Sequence, residues 1–97
     1  MAQSIMQKYE NGQIVKKCYL TGSTDNLDKH HCMNGPFRKK AEAYGLWIFL
    51  RHDVHMKLHQ TPQGQKVAIW LKQQAQEAFE RKYGHEKWMK EFKRNYL

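Results

Sequence analysis

Five of the six histidines fall between positions 30 and 59, as the adjacent pair His30-His31 and the cluster His52, His55, His59. Neutral imidazole is a common ligand for divalent transition metals and, at neutral pH, a common general base. On a helix, His55 and His59 stand one turn apart on one face, so both rings can converge on one ion. Two ligands do not make a catalytic site. A third from His30 or His31, on a strand preceding that helix, completes a three-ligand site with positions left for water and substrate. His52 lies near the same face, as a competing ligand or as a group behind the ligands or facing nucleic acid. His85 falls in a turn far along the chain and reads as a surface residue.

The elements that must position these rings follow from local pattern. The polar first thirteen residues read as a flexible or loosely docked arm, and residues 14–97 as one domain. Ile14 to Leu20 is a short run ending at the turn-forming Thr21-Gly22-Ser23. Leu27 to Met33 then extends toward Asn34-Gly35-Pro36, giving a hairpin-like opening. Phe37 to Tyr44 reads as a helix closed by Gly45, which can adopt positive φ. Leu46-Trp47-Ile48-Phe49-Leu50 is too short for a buried helix and predicts a strand. Asp53 to Gln60 follows as a short helix. Thr61-Pro62 signals another helix, with Gly64 blurring its start. From Gln65 to Tyr83, Val67, Trp70, Leu71, Ala75, Ala78, Phe79 and Tyr83 recur at steps of three and four, which defines one buried face. Beyond Gly84, Trp88, Met89, Phe92 and Tyr96 form a second stripe. The expected fold class is α+β, with a helical tail over residues 65–97.

The chain of 97 residues has 17 Lys and Arg against 9 Asp and Glu, a net charge of +8, which favours a polyanionic partner, nucleic acid first. No apolar stretch reaches the ~20 residues of a membrane span, and the N-terminus lacks a signal-peptide core. Cys18 and Cys32 are too few for a disulfide scaffold and read as free thiols of a reducing cytoplasm.

Taken together, Cys18-x-x-Thr21, Leu27-x-x-His30-His31, the run Leu46 to Leu50 and His55-x-x-x-His59 resemble the small phage-type HNH endonucleases. His30 and His55 are 25 positions apart, and His55 and His59 four, a spacing similar to that in the nuclease domain of DNA-cleaving colicins. The resemblance covers about residues 18–60 and implies a ββα-metal core. It also implies DNA hydrolysis with one divalent ion (Mg, Mn, Ni or Zn) in a bacterial host cell. By the same resemblance His30, His55 and His59 hold the metal, and His31 takes a proton from the attacking water. Arg38 or Lys39 is then available to steady the phosphate, and His52 to face the nucleic acid.

The chain also departs from that pattern. Cys18, Thr21, Arg51 and Val54 stand where cysteine-bearing relatives hold a structural zinc with four thiolates. Gly45-Leu46-Trp47 stands where the middle asparagine belongs, so orientation of His31 is expected from a backbone carbonyl of that strand. Adjacent strand residues point to opposite faces, so His30 and His31 are expected at a strand end or bulge. The competing readings are a silent nucleic-acid-binding module, a structural zinc protein using Cys18, Cys32 and two histidines, and a phage-encoded inhibitor docking through Trp70, Trp88 and Phe92.

Overall fold

A computed structural model describes residues 3–97. Its organising unit is an antiparallel pair of strands, β3 (Leu27–His31) and β4 (Trp47–Arg51), with Leu27 opposite Arg51 and His31 opposite Trp47 in unbroken register. The sequence of β4, Trp-Ile-Phe-Leu-Arg, is aromatic and β-branched and suits a half-buried pleat. That of β3, Leu-Asp-Lys-His-His, has little strand preference of its own. Pairing with β4 decides its conformation.

The chain between the strands forms a turn of 3-10 helix (Gly35–Phe37) and then α1 (Arg38–Tyr44). Gly45 closes α1 at φ 74° and sits against the backbone of Gln3, where a Cβ would collide. The arm expected to be flexible or loosely docked meets the fold there. Ile5 N–H donates to the Gly45 carbonyl at 2.9 Å, and the buried Ser4 hydroxyl donates to the Trp47 carbonyl at 2.6 Å. The arm continues as a small hairpin of β1 (Tyr9–Glu10) and β2 (Gln13–Ile14). Met1 and Ala2 lie outside the described residues.

The opening hairpin expected between residues 14–20 and 27–33 is therefore replaced by two others. The strand β2 pairs with β1, while β3 pairs with β4 across α1. The segment after Ile14 turns back at Cys18–Gly22, through Gly22 N–H to Cys18 O at 2.9 Å, and touches β4 through Tyr19 N–H to Phe49 O at 2.8 Å. Cys18 and Tyr19 pack on the core without entering a sheet, while Leu20 is exposed.

Helix α2 (His52–Gln60) starts directly at the end of β4. Thr61 then caps α3 (Pro62–Tyr83), its hydroxyl accepting from Gly64 N–H at 2.9 Å with Pro62 in the first turn. Gly64 lies inside that helix, against the backbone of Lys57 and Leu58, and lets α2 and α3 cross closely. Leu71, Ala75, Ala78 and Phe79 of α3 face the core with Leu46, Ile48, Leu50, Trp88 and Phe92. Gln76 is also fully buried, because its amide donates to Asn95 and Glu80 and accepts from Tyr96 N–H. Helix α4 (His85–Phe92) ends before Tyr96.

The architecture is mixed α+β, with four α-helices and two small antiparallel sheets among the described residues. No helix of the described residues is long and apolar enough to cross a membrane. Of the aromatic trio considered as a docking surface, Trp88 and Phe92 are 0% and 1% exposed and belong to the core. Only Trp70, at 43%, reaches the surface.

Candidate metal centre

Strand alternation places Asp28 and His30 on one face of β3 and Lys29 and His31 on the other. Asp28 and His30 share their face with Leu50 and Ile48, their partners across the pair. Helix α2 packs against this sheet. One helical turn apart on α2, His55 and His59 meet His30.

The three rings converge through nitrogen. His30 Nδ1 lies 3.3 Å from His55 Nε2, and His59 Nε2 lies 3.2 Å from the same atom. Nitrogens held at about 2.0–2.1 Å from a tetrahedral zinc stand about 3.3–3.4 Å from one another, so both separations suit ligands of one ion. One ligand atom from each residue falls within 4.8 Å of the others. Three imidazoles that leave coordination positions free match the donor set of a catalytic site better than that of a closed structural one. These residues can hold a metal ion.

Protonation supports the same arrangement. His30 is 8% exposed, and burial, with His55, His59, His31 and Lys72 adding to it, pushes its pKa down to about 4. It is neutral at physiological pH, as a ligand must be. Asp28, which the sequence reading did not single out, accepts from His55 Nδ1 at 3.0 Å and from His52 Nδ1 at 2.8 Å. These two hydrogen bonds, His55 first, hold its carboxyl below the ordinary aspartate range. An ionised carboxylate only accepts, so His55 carries its proton on Nδ1 and turns the Nε2 lone pair toward His30 and His59. A period-two reading of β3 with α2 laid on it would have put Asp28 beside His30. His52 is engaged with Asp28 and stands outside the three-nitrogen cluster.

His31 ends β3 opposite Trp47, with no bulge, and its side chain is only 12% exposed. Its partner is the Glu42 carboxylate of α1, 3.1 Å from Nε2, rather than the strand carbonyl expected from sequence. Lys29 Nζ bonds both oxygens of the same carboxylate, at 2.7 and 3.0 Å, and lies 4.3 Å from the centroid of Trp47. Lys29 is the main cause of a lowered Glu42 pKa, and His31 adds to it. The ten positions between His31 and Glu42 span the turn into α1. No sequence pattern marks that contact.

Both faces of β3 open into one cleft of about 240 Å³, lined by Lys29, His30, His31, Asn34, Arg38, His55 and His59. Arg38 is among the lining residues, Lys39 is not, and Asn34 is an addition. Cys18 and Cys32 are buried free thiols, and burial pushes the Cys32 thiol up to about 12, which disfavours a thiolate ligand. Among the described residues, the three histidines are the one cluster able to hold a metal.

No family model, curated protein or solved structure matches this chain.

Proposed function

We propose that the protein is a metal-dependent endonuclease that hydrolyses DNA phosphodiester bonds in the manner of HNH enzymes, with β3, β4 and α2 as a ββα-metal core. The observation that carries this reading is one cleft holding both a three-nitrogen ligand set and a carboxylate-paired histidine outside it. A site that only bound metal would have no use for the second feature.

In this reading His30, His55 and His59 hold a divalent ion, which supplies Lewis-acid polarisation of a phosphate oxygen and charge for the departing 3′-oxyanion. His31 takes the proton of the attacking water. Arg38, at the start of α1 and on the cleft wall, offers a guanidinium to the phosphate. The net charge of +8 draws the polyanion in without reading its sequence, so affinity falls steeply with salt.

The test is cleavage of supercoiled plasmid by chelator-treated protein, alone and with Mg, Mn, Ni or Zn added. Nicking that appears only with added metal is the expected result. DNA binding without cleavage under any metal identifies a silent binding module and overturns the proposal. So does cleavage indifferent to chelator.

A further inference from the structure

A general base must present one particular nitrogen, and in His31 the choice is made by a residue outside the ligand set. We infer that Glu42 is the positioning residue of His31, locking its ring as the Nε2–H tautomer so that Nδ1 is the nitrogen that accepts the proton. This inference rests on the hydrolase reading for what Nδ1 does. For the tautomer itself it rests on the contacts among Lys29, Glu42 and His31.

Glu42 Oε1 is 3.1 Å from Nε2, and Glu42 is ionised because Lys29 bonds both of its oxygens. A carboxylate in that state has no proton to give, so Nε2–H donates and Nδ1 is left with its lone pair. Among the described residues no hydrogen bond reaches Nδ1, and His31 lines the cleft. Lys29 and Trp47 fix the carboxylate in turn. The ammonium that grips it also lies over the indole, so the Glu42 head is tied to the sheet as well as to its own helix. The device is a chain of Lys29, Glu42 and His31, built between α1 and the face of β3 opposite Asp28.

In this arrangement the Glu42 carboxylate takes the orienting place that the sequence, lacking the middle asparagine, led one to expect of a strand carbonyl. It also separates the roles of the two adjacent histidines. His30 is oriented toward the metal cluster by its strand face, and His31 toward Glu42 by the other.

The experiment compares the full chain with Glu42→Ala and Glu42→Gln. Ring nitrogen shifts of ¹⁵N-labelled His31 report the tautomer without any substrate. Plasmid cleavage then gives kcat and KM, and calorimetric zinc titration reports the ligand set. The parent should show the Nε2–H form. Glu42→Ala should mix the tautomers and lower kcat by about 10–100-fold, less than the 10²–10⁴ of a whole base, with KM and zinc affinity within about threefold. Glu42→Gln, which keeps an acceptor oxygen at the same reach, should restore part of both signals. An Nδ1–H tautomer in the parent overturns the inference, as does an alanine variant with unchanged tautomer and kcat. A loss of zinc affinity equal to the loss of kcat also overturns it, by making Glu42 merely structural. A parent with the expected tautomer but no cleavage under any metal removes the hydrolase reading and Nδ1's role as base, while leaving the lock in place.

Discussion

The carboxylate of Asp28 accepts a hydrogen bond from Nδ1 of His55 at 3.0 Å, on the side of the ring away from the nitrogen that meets His30 and His59. This carboxylate–histidine pairing sets the tautomer, the ring plane and the basicity of the central histidine of the cluster. Asp28→Asn keeps the shape but removes the charge, and its amide can turn a donor toward Nδ1. Zinc affinity should fall by about 10–100-fold, the usual effect of losing such a partner. Calorimetric titration of the variant checks this, and unchanged affinity would mean that His55 is oriented by packing alone.

Gly64 places helix α3 against the backbone of Lys57 and Leu58 in α2, the helix that carries His55 and His59. A methyl group at that crossing meets backbone and not the free end of a side chain, so one helix must move. Gly64→Ala should lower stability by about 1–3 kcal/mol, despite the better helix propensity of alanine. Zinc affinity should fall with it, because the displaced helix carries two of the three histidines of the nitrogen cluster. Thermal unfolding and zinc titration of the same sample test both statements, and a stabilised variant would refute the close crossing.

These contacts show which parts of the fold were legible in sequence. The helices α2 and α3 could be placed because their periodicity and caps are local, and β4 because a short aromatic and β-branched run suits little else. His55 and His59 could be paired because helix spacing brings them to one side, whereas the choice of His30 over His31 as the third came only from the resemblance. The partner of β3 was not legible. Pairing across α1 joins residues 16 to 24 positions apart, from His31 with Trp47 to Leu27 with Arg51, and no local pattern announces it. Trp70 repeats at the right interval yet stands exposed, while Gln76 is buried by hydrogen bonds that polarity alone cannot announce. Asp28 and Glu42 escaped notice for a related reason, since a carboxylate gains a role only from what folds against it.

The metal-free protein should lose stability between pH 6.5 and 4. His30 is neutral in the fold down to about 4, held there chiefly by burial, whereas in the unfolded chain it takes up a proton near 6.5. Across that window the unfolded state binds more protons, so stability rises with pH and falls on acidification, by up to about 3 kcal/mol. Asp28 and Glu42, with lowered pKa values, add their own losses as their unfolded-state carboxyls protonate at lower pH. The stretch from 6.5 to 5 therefore reports His30 most directly. Urea unfolding at several pH values should show this slope in the parent and a flatter one in His30→Gln. Equal slopes would mean that His30 is not enclosed.

The two histidine roles should come apart under substitution. His31 belongs to the Glu42 side of β3, while His30, His55 and His59 form the nitrogen cluster on the other. His31→Ala should therefore leave zinc affinity and DNA binding nearly intact while plasmid cleavage falls by about 10²–10⁴-fold, the contribution of a positioned base. His55→Ala and His59→Ala should instead weaken zinc binding, and excess metal should recover part of the cleavage because the remaining ligands still define the site. His52→Ala should have the smallest effect on binding, since His52 reaches the cluster only through the carboxylate it shares with His55. Zinc titration, DNA binding at two salt concentrations and plasmid cleavage on all four variants separate the cases. Parent-like cleavage by His31→Ala would remove the base, and loss of zinc binding in His52→Ala as complete as in His55→Ala would put a different histidine of α2 on the metal.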